Sequence, residues 1–305
     1  MLRCVGTEPL YGVVPNFSEG RRRDVIEAIV AALRVPGAHV AYAEADPDHH
    51  RLDTTVLGSR DAVAASAMAA ARVAAGLIDL TQHHGGHPRM GAVDVIPFMP
   101  VRDVTMENCV GLARSFAQEL ARELDLPVYL YERAALRPDR VSLADVRRGQ
   151  FEGLRESVAR GQRLPDFGPH ALGPAGATAV GARKPLIAFN LYLDSGDETA
   201  AKAIASEVRE AGGGPPAVRA IGFRVPERGC VTVSLNLVDH EVTGIRAAFD
   251  AVAAAAAPRG LAITSSEIVG LVPASALGPG DAEHVHLEGL DADRQILERL
   301  AEVAA

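Results

Sequence analysis

Cysteine is scarce in this chain: Cys4, Cys109 and Cys230 are odd in number, far apart and form no C-x-x-C pair. That excludes a disulfide framework and a zinc knuckle, and a reducing, cytoplasmic setting is expected. Uninterrupted apolar runs are short as well. None approaches ~18 residues, and the opening Met-Leu-Arg-Cys-Val-Gly lacks a long apolar stretch, so neither a membrane span nor a signal peptide is expected. Basic charge is in deficit, with 31 Lys and Arg against 39 Asp and Glu and a formal net charge of −8. A nucleic-acid or acidic-membrane surface would need a basic footprint, so any anionic ligand must be met by a local basic pocket. Tryptophan is absent altogether.

What is present suits a folded protein: 48% of residues are hydrophobic and 23% charged, and disorder is not expected. A length of 305 residues is long for one compact unit and comfortable for two. Tyr11 to Asn16 reads as a strand ending in a polar turn. Val25, Ile26, Ile29, Val30 and Leu33 then recur at helical spacing until Pro36-Gly37 stops the helix. Ala38 to Ala43 and Asp53 to Leu57 read as strands, Ser59 as the N-cap of an alanine-rich helix to about Gly76, and Ala92 to Phe98 as a strand. The order is β-α-β-β-α-β, the split βαβ or ferredoxin-like unit.

A further helix from about Thr105, with Leu112, Phe116, Leu120 and Leu124 on one face, and a strand at Val128 to Tyr131 extend that unit. Residues 134 to 162 are charged and weakly helical, and Pro165 to Gly181 reads as an interdomain linker or a binding loop. The second half repeats the order: strand Leu186 to Leu193, helix Glu198 to Glu210, strands Ala217 to Arg224 and Val231 to Leu237, helix Gly244 to Ala257, strand Ile263 to Val272. An amphipathic tail from Asp291, with Ile296, Leu297 and Leu300 on one side, is expected to pack on the second unit. The expected class is α+β, two ferredoxin-like subdomains in tandem over residues 1–180 and 181–305.

Two polar clusters stand out. His83, His84 and His87 lie with Arg89 in a Gly- and Pro-punctuated connection, and Asp46-Pro-Asp-His-His-Arg51 lies between two strands. Imidazoles on a tight loop are placed for chemistry, though the same residues also read as turn punctuation with solvated histidines.

The strings Val14-Pro-Asn-Phe-Ser-Glu-Gly20, Asp46 to Arg51, His87-Pro-Arg-Met-Gly-Ala-Val-Asp94, Pro127-Val-Tyr-Leu-Tyr131, Pro165-Asp-Phe-Gly-Pro169, Gly181 to Asn190 and Val269 to Pro273 run in order over nearly the whole chain. In them the sequence resembles the glutamate formimidoyltransferase family in its monofunctional bacterial form. The resemblance implies two ferredoxin-like subdomains around a folate tunnel, usually in a homodimer, and movement of a formimino group from N-formimidoyl-L-glutamate to tetrahydrofolate in histidine degradation. It implies His87 as the catalytic histidine and Asp46 as its acidic partner. It puts folate along Gly168, Pro169, His170, Ala171, Leu172, Gly173, Pro174, Ala175, Gly176 and Ala177. There are departures: Ala175 stands where some relatives carry tryptophan, Glu44 where aspartate is expected and His50 where asparagine is common. No cyclodeaminase domain is expected to follow.

Moving a formimino group between amines takes a proton from the attacking nitrogen and gives one to the leaving nitrogen, which a histidine can do in both directions. His87 is the expected acid/base, with Asp46 fixing its tautomer or stabilising a cationic adduct. On local sequence alone Asp46 reads rather as an Asx-turn residue before Pro47. Arg51 and Arg89 are candidates for gripping substrate carboxylates, or else ordinary ion pairs. Asn16 and Ser18 can bond a ligand or shape a turn, while His49, His83 and His84 read as solvated or supporting. Two other activities stay open: glutamate formyl transfer at the same folate site, and a metal-dependent hydrolase using Asp46 and the histidines. The second lacks any H-x-H or H-E-x-x-H spacing, and no metal is expected.

Overall fold

The computed structural model describes residues 8–85 and 87–304; Cys4, the opening segment and Gly86 lie outside them. The chain divides into two compact units, residues 1–183 with 301–305 and residues 184–300. The expected α+β tandem is borne out.

In the first unit, β1 (Leu10–Val13) and β2 (Asn16–Phe17) share one place in the sheet, between β4 (Arg51–Gly58) and β5 (Val93–Arg102). The single strand expected over Tyr11 to Asn16 is therefore two, interrupted at Val14-Pro15, since Pro15 has no N–H to give a ladder. β3 (Ala38–Asp46) pairs antiparallel with β4 on the far side. The helices that cross between these strands are α1 (Arg23–Leu33), burying Val25, Ile29 and Leu33, and α2 (Arg60–Leu77). Small buried residues Ala67, Ala70, Ala71 and Ala74 let α2 approach closely, and Ser66 Oγ donates to the carbonyl of Leu33 at 2.6 Å. Ser59 caps α2 through the amide of Ala62, as its position implies.

The rest of the unit departs from the sequence reading in one important place. α3 (Met106–Leu124) carries the chain over to β6 (Val128–Glu132), as expected. The charged stretch then folds into the short helices α4 (Leu143–Val146) and α5 (Gln150–Ala159). The Gly/Pro-rich run is no interdomain linker: its end is β7 (Thr178–Ala182), which slots between β5 and β6 and runs parallel to both. Periodicity could not show this, because Thr178-Ala-Val-Gly-Ala is short and, being buried throughout, does not alternate between apolar and polar residues. β5 is covered likewise and is buried from Val93 to Met99; Phe98 meets Phe116 of α3 edge to face at 5.2 Å.

The second unit is built from β8 (Ile187–Leu193), α6 (Glu198–Val208), β9 (Val218–Val225), β10 (Cys230–Leu237), α7 (Ile245–Ala256) and β11 (Ile263–Val269). Its sheet is antiparallel in the order β11-β8-β10-β9. Ile187, Phe189, Leu191, Val231, Val233 and Leu235 pack there with Ile204 and Phe249 of the helices. In the tail, Ile296 joins this core and bridges to Val272. Among the described residues no helix is long and apolar enough to cross a membrane.

Entry into β7 depends on one glycine. Gly176 has φ +72°, and a Cβ there would stand 2.3 Å from the carbonyl oxygen of Met90. Gly173, three residues earlier, faces open space. Gly176→Ala is expected to cost about 1–3 kcal/mol in backbone strain alone, lowering the urea midpoint clearly. Gly173→Ala should stay within about 0.5 kcal/mol of the parent in the same titration.

Candidate active site

Five segments of the first unit converge at one end of its sheet: the turn after β2, the β3–β4 hairpin end, residues 78–92, the α4–α5 turn and residues 168–177. In the hairpin, Asp46 pairs opposite Arg51, and the reversal needs a left-handed residue, His50, with φ 54°. Asp46 Oδ1 accepts the amides of Asp48 and His49 at 2.8 and 2.9 Å, the Asx turn that the local sequence suggested. Its Oδ2 lies 2.5 Å from His49 Nδ1. Burial by itself would raise the Asp46 pKa, but the His49 amide and imidazole outweigh it and hold it below the ordinary value.

The histidine connection folds directly onto that hairpin. A Cβ at Gly85 would come within 2.7 Å of the His50 Cβ and 2.8 Å of the His49 carbonyl, so only glycine permits the approach. His83, read from sequence as solvated or supporting, is buried, with its ring 4.1 Å from that of His50. His83 Nδ1 accepts from Arg89 Nε at 3.2 Å, which leaves Nε2–H to donate to the His50 carbonyl at 3.3 Å. His50 Nδ1 accepts the amide of Gly20 at 3.0 Å. Both imidazoles are thus held neutral by donors on the opposite nitrogen. Burial, then the neighbouring His50, pushes the His83 pKa down to about 4.

His87 is different. It is half-buried, and its Nδ1 donates to the carbonyl of Pro88 at 2.7 Å, leaving Nε2 as a lone pair that no described residue engages. Tautomer fixing, expected of Asp46, is done here by that carbonyl, while Asp46 stands behind His49, whose ring centroid is 6.4 Å from that of His87. Burial, then the charges of Arg51 and Arg147, push the His87 pKa down to about 2 against the opposing pull of Asp94.

Asp94 is fully buried and is the centre of the charge cluster. Its Oδ1 accepts the amide of Met90 at 2.8 Å, and its Oδ2 takes Arg51 at 2.9 Å together with Arg147. Arg51 also bonds Asp53 at 2.8 Å. Burial would raise the Asp94 pKa, but Arg147 and Arg51 win and it lies below the ordinary range. Arg89 is committed elsewhere: its five N–H groups go to His83 Nδ1, the His83 carbonyl, Gln150 and both oxygens of Glu152. It clasps the histidine connection to the start of α5, the ion-pair alternative read from sequence.

Ser18 Oγ donates to the carbonyl of Gly91 at 2.7 Å and its amide to Ala92 at 3.0 Å, so it stitches β2 to the head of β5. Asn16 sits in β2 opposite Asp53, its Oδ1 3.4 Å from the Thr54 amide. The segment from Gly168 to Ala177 lies against both ends of the histidine connection: Leu80 donates to Pro174, Ala92 to Ala175, and Ala177 to Met90, all at 2.8–2.9 Å. Its residues Gly168, His170, Ala171, Gly173 and Pro174 are exposed and Pro169 and Ala175 half-exposed, while Leu172, Gly176 and Ala177 are buried anchors.

Among the described residues no group of three or more His, Cys, Asp or Glu is placed to hold a metal ion. Sequence reasoning missed Arg147 and the part played by Asp94. A charged residue inside the apolar run Val93 to Met99 was a usable signal for Asp94; Arg147 sits in a charged stretch beside Arg148 and carried none.

The neutral locking of His83 has a measurable sign. Its folded pKa lies below the ordinary ~6.5, so between about pH 6.5 and 4 the unfolded chain binds a proton the folded chain does not, and stability falls as pH drops through that window. His83→Gln keeps a donor and an acceptor and cannot titrate. Between pH 7 and 5 it should lose on the order of 2 kcal/mol less than the parent, read from urea melts at the two pH values.

Known families align with this chain over both units. Residues 10–183 match the model described as Formiminotransferase domain, N-terminal subdomain, and residues 188–290 that described as Formiminotransferase domain. A glutamate formimidoyltransferase of Thermoplasma acidophilum is 42% identical, covering 97% of this chain and 98% of its own. One from Streptococcus pyogenes is 40% identical, covering 93% and 96%. The formimidoyltransferase-cyclodeaminase of Sus scrofa is 44% identical over 92% of this chain, which spans 53% of that longer protein. With both halves matched and relatives aligned from end to end, the chain belongs to the formiminotransferase family.

Proposed function

We propose that the protein transfers the formimino group of N-formimidoyl-L-glutamate to tetrahydrofolate, giving 5-formimidoyltetrahydrofolate and L-glutamate, with His87 as the acid/base. The observation that carries the reading is the state of His87: a neutral imidazole, its Nδ1–H tied to Pro88 and its Nε2 lone pair unused. The attacking folate nitrogen adds to the amidine carbon and passes its proton to Nε2. The resulting imidazolium returns that proton to the glutamyl nitrogen as the tetrahedral adduct collapses, so the protein ends as it began.

The depressed pKa keeps the His87 imidazole neutral before the reaction and makes its imidazolium quick to give the proton to the leaving nitrogen. The segment from Gly168 to Ala177, bonded to both ends of this imidazole's connection, is the wall along which the folate would lie; Gly173 and Pro174 are exposed there and Ala175 half-exposed. Asp46, behind His49, supplies negative charge toward a cationic amidine without touching His87. The homodimer and the cytoplasmic setting implied by the family belong to the same reading.

His87→Ala should lower turnover about 100-fold or more with tetrahydrofolate binding retained, measured by product absorbance and by folate titration. Activity within a few fold of the parent would remove His87 from this position. N-formyl-L-glutamate run in parallel decides the group moved: a parent faster with the formyl donor would make formyl transfer the better reading.

A further inference from the structure

Three guanidiniums are buried around the histidine connection, and they differ in what they have left to give. Arg89 has spent all five N–H groups. Arg51 is answered by two carboxylates, Asp53 and Asp94. Among the described residues Arg147 makes one side-chain hydrogen bond, to Asp94 Oδ2, an oxygen it shares with Arg51. Its side chain is only 13% exposed, and its buried Nε has no hydrogen-bond partner among the described residues. Tyr131, which also acts on it, is a buried phenol whose pKa burial raises, so it brings no counter-charge.

A buried N–H without a partner costs about 1–3 kcal/mol, and such groups persist where a partner arrives with a ligand. We propose that Arg147 grips a carboxylate of the glutamyl donor beside His87, a specificity contact that rests on the formimino-transfer reading above. A guanidinium with free N–H groups on neighbouring nitrogens meets a carboxylate with two parallel bonds. The chain's net charge of −8 leaves an anionic substrate dependent on such a local cation. Both substrates carry glutamyl carboxylates, and distance along the covalent skeleton separates them. In the donor a carboxylate stands a few bonds from the reacting amidine carbon; in the folate the glutamyl group lies across the aminobenzoyl ring from the accepting nitrogen. A cation close enough to act on the His87 imidazole suits the donor.

The test is steady-state kinetics of the whole protein, parent and Arg147→Gln, with N-formimidoyl-L-glutamate and its two mono-amides. The parent should prefer the diacid over one amide by at least tenfold in kcat/KM. In Arg147→Gln the donor KM should rise at least tenfold, that preference should collapse toward unity, and the tetrahydrofolate KM should stay within twofold. An undiminished preference, or a rise confined to the tetrahydrofolate KM, overturns the assignment. Should Arg147→Gln fail to fold, Arg147→Lys keeps the charge facing Asp94 but not the fork; its donor KM should rise at least threefold, and a parent-like value overturns the assignment. A parent without transfer activity would instead sink the functional reading. The grip is then read by calorimetric titration of L-glutamate: binding at least tenfold weaker in the variant supports it, and equal binding, or none to the parent, overturns it.

Discussion

Everything at the site hangs on one carboxylate out of water. Asp94 stands at the start of β5, in the stretch buried from Val93 to Met99, and a bare charge there would cost several kcal/mol. It is held by an amide from the histidine connection, a guanidinium from the hairpin and another from the α4–α5 turn. Three segments remote in sequence are thereby fixed to one point, because each supplies a charge or dipole that the others cannot replace. The same cluster sets the electrostatics of His87, whose protonated form would face two cations.

The histidines show how much environment decides. His50 and His83 have one ring nitrogen blocked by an incoming N–H, so neither nitrogen pattern suits a metal or a proton relay. His49 leans on a carboxylate. His87 alone among these four has its Nδ1 proton anchored on a carbonyl with the far nitrogen unclaimed. Residue type is identical in all four cases; the neighbours distribute the work.

Helices α1 and α2 and most strands of both units were legible because their apolar spacing is strong and their stops, Pro36-Gly37 and Ser59, are local signals. So was the placing of the two polar clusters, since each sits in a connection at a strand end. The site's charge relations were not legible. Whether Arg89 serves a ligand or Glu152 depends on a helix more than 60 residues away, and Asp46's choice of His49 over His87 depends on the angle of a four-residue turn. β7 was hidden for a similar reason: a short run of small residues looks like a loop until two strands are found on either side of it.

The position of β7 also orders events during synthesis. A chain that has left the ribosome only as far as β6 already contains His87, Asp94 and the hairpin, yet the slot between β5 and β6 is empty and the backbone that braces Leu80, Met90 and Ala92 has not been made. Parallel strands separated by a long excursion are slow to close. The nascent first half is therefore a half-built sheet with His87 in place and one wall missing, and that wall is closed only when residues 168–182 are threaded home.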